Sequence, residues 1–128
     1  MTLIAGFGDR AAATAASMED ALARALAAAG DAAGGASGAA IFSAPADKIS
    51  APCARDFAAA RGVEITPIDA AILCLFNTPT QAPRVIEKRG VGSVAEAVAM
   101  AAAGMGGELI VPRTVSEDRM ATCALVKV

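Results

Sequence analysis

Histidine, tryptophan and tyrosine are absent from this 128-residue chain, and four phenylalanines are its whole aromatic content. Without histidine, an imidazole-ligated metal centre and a Ser-His or Cys-His nucleophile are excluded. Nucleic acid is not expected as a partner, because the net charge is −2, no basic block occurs and stacking platforms are missing. Cys53, Cys74 and Cys123 are odd in number, widely spaced and form no C-x-x-C pair, which reads as free thiols in a reducing compartment. Nothing indicates a metal or a cofactor. No basic segment followed by a long apolar stretch opens the sequence. The longest alanine-rich run, Val94 to Ala103, contains Glu96 and is far shorter than the ~20 apolar residues of a membrane span. A soluble cytoplasmic protein without a membrane partner is the expectation.

What is abundant is alanine, which supplies much of a 55% hydrophobic composition. Close-packed helices around a core of Ala, Val, Ile and Leu should follow. The length suits a single domain spanning residues 1–128, and no internal repeat or linker is visible. Leu3–Phe7 reads as a buried strand. Ser17, with Glu19 and Asp20 behind it, reads as the cap of a first helix ending near Ala29 and Gly30. After a Gly34-Gly35-Ala36-Ser37-Gly38 loop come a strand at 39–43, a helix opened by Ser50-Ala51-Pro52, and a strand at 63–66. Asp69 can cap a short helix from Ala70 to Leu75, and Asn77 to Gly92 reads as irregular. Ser93-Val94-Ala95-Glu96 is a capping box for a helix ending at Gly104. Leu109–Val111 and Met120–Val126 close the chain as strands joined by a hairpin loop from Pro112 to Arg119. Strands that first alternate with helices and then pair as a hairpin predict an α/β fold. Its form is a three-layer α/β/α sandwich around a mixed sheet of about five strands.

Gly6-Phe7-Gly8-Asp9-Arg10-Ala11 fits G-x-G-x-x-A, a loose dinucleotide fingerprint. That fingerprint needs a helix starting at the loop and an acid about 20 residues on, at the end of the second strand. The helix start at Ser17 comes too late and the acid position falls inside that helix, so a dinucleotide is not expected. Two readings remain. Backbone N–H groups of Gly6 and Gly8, with the Arg10 guanidinium, hold an anion, or the segment is a plain strand-to-helix turn. Asp47 and Lys48 follow the second strand, at the carboxyl edge where open α/β sheets bind ligands; a solvated lysine is the simpler reading. Thr78 and Thr80 lie on a proline-stiffened loop that either contacts a polar ligand or only connects elements. Glu96 is most simply the return half of the capping box, and is also a candidate general base. Whether Arg113 reaches the ligand edge depends on the direction of its strand. Nothing in the sequence brings Asp9, Asp47, Asp69 and Glu96 together in pairs.

Taken in order, GFGDR, SAPADK, NTPTQAP, VGSVAEAVAMAAAG, ELIVPR and MATCALVKV resemble the CobE/CbiG C-terminal family of cobalamin (vitamin B12) biosynthesis, over nearly the whole chain. The resemblance implies a three-layer domain acting in corrin-ring synthesis. The chain looks like the stand-alone form of the aerobic route rather than the cobalt-precorrin-5A hydrolase, which carries further N-terminal sequence. By position, the family's elements fall on Gly6, Gly8 and Arg10, on Asp47 and Lys48, on Thr78 and Thr80, on Ser93 and Glu96, and on Arg113. Two departures stand out: Ser50-Ala51-Pro52 where many relatives have an acid, and Arg113 where many have lysine. The implied ligand is a corrin or precorrin intermediate, an apolar macrocycle edged with carboxylates. The implied alternatives are a hydrolase or isomerase of a lactone-bearing precorrin, with Glu96 or Asp47 as base, and a docking partner of another pathway enzyme. An exposed apolar face on the Val94–Ala103 helix would favour the last.

Overall fold

The first strand, β1 (Leu3–Asp9), forms the middle of a five-stranded sheet in a computed structural model that describes residues 2–33 and 39–128. β2 (Ile41–Pro45) pairs parallel with β1, and β3 (Ile65–Ile68) parallel with β2. On the other side β5 (Ala121–Lys127) runs antiparallel to β1 and to the edge strand β4 (Glu108–Val115). The order is β3-β2-β1-β5-β4, a mixed sheet, as expected. Pro67 and Pro112 both fall in edge strands, where a missing N–H interrupts no inner ladder.

Side chains alternate along β1 and so sort the helices into two layers. Leu3, Ala5 and Phe7 pack with Met18, Leu22 and Ala25 of α1 (Ala15–Ala29) and with Phe57 of α2 (Pro52–Arg61). Phe7, Phe42 and Phe57 form the aromatic centre of that layer, with Phe7 and Phe57 edge to face at 5.1 Å. On the opposite face Ile4 packs with Val126 and with Ala99 of α4 (Val94–Ala103). The result is the α/β class with helices on both faces. Among the described residues no helix is long and apolar enough to cross a membrane.

Gly6 and Gly8 are strand residues on the α4 face. A Cβ at Gly6 would overlap the carbonyl oxygen of Ala95 and stand 2.6 Å from the Ala99 nitrogen. Alanine on the helix and glycine on the strand therefore let the two backbones meet. Ser43, in register with Gly6, donates its hydroxyl to Val98 O at 3.0 Å and ties β2 to the same helix.

Several local expectations change, and the second and third strands run over 41–45 and 65–68 instead of 39–43 and 63–66. The cap of α1 is Thr14, whose side chain exchanges hydrogen bonds with Ser17 in a reciprocal box, so Ser17 is the third helical residue and not the cap. The segment from Asn77 to Gly92 is not wholly irregular. It contains α3 (Pro83–Arg89), opened by a proline and closed by Gly90 at φ 72°. The Asp69-capped segment, Ala70–Leu75, is a 3-10 helix. β4 continues through Pro112 to Val115, which leaves Ser116 to Met120 as the turn. The glycine-rich loop expected at Gly34 to Gly38 lies outside the described residues.

Candidate functional site

The parallel strands β1, β2 and β3 all end at one sheet edge, and charged residues gather there. Asp9 is the last residue of β1, on the face covered by α1 and α2. It accepts a long hydrogen bond from the buried Cys53 thiol, with Sγ 3.5 Å from Oδ2. Asp47 and Lys48 lie on a one-turn 3-10 helix directly after β2. Arg89, in the last turn of α3, grips Asp47 through two hydrogen bonds of 2.7 and 2.9 Å. Arg10 follows β1 with its side chain exposed.

Burial pushes the Asp9 carboxyl above the ordinary carboxylate range. Lys48, the Cys53 thiol and Arg89 pull it back, and Asp47 adds to the rise. The Arg89 hydrogen bonds hold Asp47 below that range. Cys53 is raised by burial and then by Asp9, so it is not an activated thiolate. Two acids that the sequence left apart, Asp9 and Asp47, thus share one electrostatic neighbourhood.

The Asp9 shift sets a pH dependence. Because the folded state holds this proton more tightly than the unfolded chain, stability falls as pH rises from the ordinary carboxylate range through the raised value. Asp9→Asn removes that slope. The thermal midpoint of the variant should gain on wild type as pH rises from 4 to 7, and parallel profiles would contradict the assignment.

The remaining expected residues form a second network. Glu96 is fully buried and both of its carboxylate oxygens are committed. Oε1 accepts from Thr80 N at 3.0 Å, and Oε2 accepts from Thr80 Oγ1 at 2.6 Å and from Arg113 N at 2.6 Å. It does not turn back to the Ser93 backbone. Ser93 Oγ accepts from Glu96 N at 3.3 Å, so only half of the expected capping box exists. Thr78 Oγ1 donates to Thr80 O, and Gln81 Nε2 donates to Thr78 O, which stiffens the loop. Arg113 lies on β4, which runs in the direction of β1, but two strands away on the outer edge.

The structure therefore divides the expected residues. Arg10, Asp47 and Lys48 share the carboxyl edge. Thr78, Thr80, Glu96 and Arg113 are joined by their own hydrogen bonds, with Ser93 capping the same helix, whose start lies against β1, Val94 Cβ being 3.4 Å from the Cβ position of Gly8. Gly6 and Gly8 are buried inside β1, facing Ala124 and Thr122 of β5, and the backbone N–H of Arg10 is spent on Met120 O at 2.8 Å. The GFGDR segment is thus a strand and its end, and does not form the open glycine loop that an anion nest requires. Asp9 and Arg89 went unnoticed in the sequence as members of this cluster.

Beside the cations lies an apolar surface. Ile86 precedes Arg89 by one turn of α3 and is 41% exposed; on the adjoining 3-10 helix Ile72 and Leu75 are 37% and 76% exposed. The two elements touch, with Cys74 Cβ 3.5 Å from the Cβ position of Gly90. Two shallow depressions, of about 280 and 350 Å³, are lined instead by Ser17, Asp20 and Asp118 and by Ile49, Arg55 and Ile65. The α4 helix is buried from Ala95 to Ala99, while Val94, Met100 and Ala101 to Ala103 are half-buried, so its C-terminal half keeps a partly exposed apolar surface.

Comparison with known proteins places this geometry. No curated protein sequence matches the chain. Among solved structures, CobE, a protein from the cobalamin (vitamin B12) biosynthetic pathway, is similar at 24% identity and TM-score 0.81, over 99% of this chain and 90% of that one. The cobalamin biosynthesis protein chiG from Agrobacterium tumefaciens str. C58 is similar at 23% identity and TM-score 0.68, over 99% and 98%. A cobalamin biosynthesis protein G homologue from Sulfolobus solfataricus gives 17% identity and TM-score 0.66, over 98% of this chain and 36% of that one. At such identities these likenesses establish a shared fold. The family model described as cobalamin synthesis G C-terminus matches residues 3–126, nearly the whole chain, and the protein belongs to that family of cobalamin biosynthesis proteins.

Proposed function

We propose that the domain binds a carboxylate-rich corrin or precorrin intermediate at its carboxyl edge, in the cytoplasm and in the aerobic route of cobalamin synthesis. The observation that carries this reading is that Arg10, Lys48 and Arg89 share the carboxyl edge with the elements that expose Ile72, Leu75 and Ile86. An amphiphilic macrocycle needs both parts. Guanidinium and ammonium groups hold carboxylates through charge-assisted hydrogen bonds, and the aliphatic surface covers the ring. The free cysteines support a reducing compartment.

Binding is favoured over turnover because Glu96 is fully buried with both oxygens engaged, and Arg89 holds Asp47 below the ordinary carboxylate range, which makes it a weak base. Glu96 is spent on Thr80 and Arg113, and Asp47 on Arg89.

Titration with hydrogenobyrinic acid, followed by its visible absorbance and by co-elution on gel filtration, tests the proposal. Wild type should shift the bands and carry the pigment. Lys48→Ala should weaken binding about tenfold, the worth of one charge-assisted hydrogen bond. A wild-type protein that neither shifts the bands nor retains the pigment overturns it.

A further inference from the structure

We infer that Asp47 competes with a ligand carboxylate for the fork of Arg89, so that Arg89 is a ligand-binding residue and Asp47 its resident antagonist. The inference rests on the carboxylate-binding reading above and gives it a direction that the sequence reading did not have.

Three observations carry it. First, the two hydrogen bonds from Arg89 Nη1 and Nη2 to Asp47, at 2.7 and 2.9 Å, have the forked geometry in which a guanidinium receives any carboxylate. Second, the partners differ in exposure. The Arg89 side chain is 21% exposed and that of Asp47 is 53% exposed. Asp47 can turn into water at small cost, whereas Arg89 stays largely covered and keeps its demand for a carboxylate. Third, the backbone beneath Arg89 is fixed, because Gly90 closes α3 by donating to Ile86 O at 2.8 Å. Lys48, next to Asp47, is left to meet a second carboxylate.

A second forked pair among the described residues shows what a structural clasp looks like. Arg61 holds Glu19 at 2.7 and 2.9 Å, joins α2 to α1, and lies over Phe42 and Phe57 at 5.8 and 5.6 Å. Arg89 has no such aromatic bed among the described residues, and its partner sits on an exposed single turn.

Exchange of one carboxylate for another conserves the forked bonds, so the cost to a ligand is the opening of a half-exposed ion pair plus repulsion from the displaced acid. Asp47→Asn should therefore bind hydrogenobyrinic acid about two- to fivefold more tightly than wild type. In an Arg89→Gln background the same substitution should bring no gain. Wild type, both single variants and the double variant are titrated by absorbance, with their thermal midpoints recorded.

If wild type binds and Asp47→Asn binds equally or more weakly, the competition is refuted and the binding site stands. An equal gain with and without Arg89 also refutes it, since the effect is then general charge repulsion. Binding by Asp47→Asn alone supports the competition while overturning binding by wild type. If neither protein binds, both ideas fall, because freeing Arg89 should have exposed the site.

Discussion

Gly6→Ala lowers the unfolding free energy by about 3 kcal/mol, while Gly8→Ala stays within about 1 kcal/mol of wild type. The two glycines stand two residues apart on the same face of β1, yet they meet different neighbours. The Cβ of an alanine at position 6 runs into backbone, the Ala95 carbonyl and the Ala99 nitrogen, and into Ala99 Cβ at 2.7 Å. None of these atoms can rotate away, so α4 must lift from the sheet along its whole length. At position 8 the nearest atom is Thr122 Oγ1 at 2.8 Å, the tip of a side chain that can change rotamer, and the backbone stands off at 3.6 Å. Gly8 also gains from alanine in the unfolded state, which offsets part of the crowding. Urea denaturation measures both variants. The Gly6 effect corresponds to a fall of about 10 °C in thermal midpoint for a domain of this size. Equal and small losses would mean that the strand and helix are not in close contact, and would return Gly6 to the role of a ligand loop.

That contrast shows where a sequence reading stops. Gly-x-Gly after an apolar run carries two meanings, a turn that exposes N–H groups or a strand that admits a helix. The arbiter is the chain that pairs with it. Ala121 to Ala124, which faces Asp9 to Gly6 across the ladder, lies more than a hundred residues away, as the 114-residue separation of Gly8 and Thr122 illustrates. The order of strands and helices was legible because each element carries local signals: Gly30, Gly62 and Gly104 at helix ends, Pro52 at a helix start, and alternation along the strands. α3 carried the same signals. Pro83 at its start, and Lys88 and Arg89 before Gly90 at its end, are helix punctuation. They were hidden by the polar, proline-rich stretch around them, and with them went Arg89. The end of β1 was not legible, because the apolar run stops at Phe7 and only the pairing with β5 carries the strand on to Asp9. Nor were its neighbours, because Cys53 and Arg89 arrive from separate helices.

Glu96 is the other residue whose role depends on distant partners, and its replacement has the largest expected effect on the clamp. Glu96→Ala should destabilise the domain by about 4 kcal/mol and Glu96→Gln by about 2 kcal/mol. The carboxylate accepts from three donors, and two of them are backbone N–H groups that cannot reorient, Thr80 N and Arg113 N. Arg113 needs this acceptor. The register of β4 against β5 shifts between Val111 and Thr114, which takes Pro112 and Arg113 out of the ladder. Alanine strands all three donors and leaves a cavity in fully buried surroundings. Glutamine fills the space, but in either amide orientation its NH₂ faces a backbone N–H, so one donor is lost while Thr80 Oγ1 can rotate to accept. Thr80 lies 16 residues before Glu96 and Arg113 lies 17 after it, so one carboxylate joins the loop, the helix and the edge strand. Thermal denaturation gives the stability loss. Hydrogen exchange gives the signature of the clamp, with the Thr80 and Arg113 amides accelerated in Glu96→Gln while those of β1 keep pace with global unfolding. A Glu96→Gln protein with wild-type stability and wild-type protection at both amides would release Glu96 from the clamp and restore it as a candidate base.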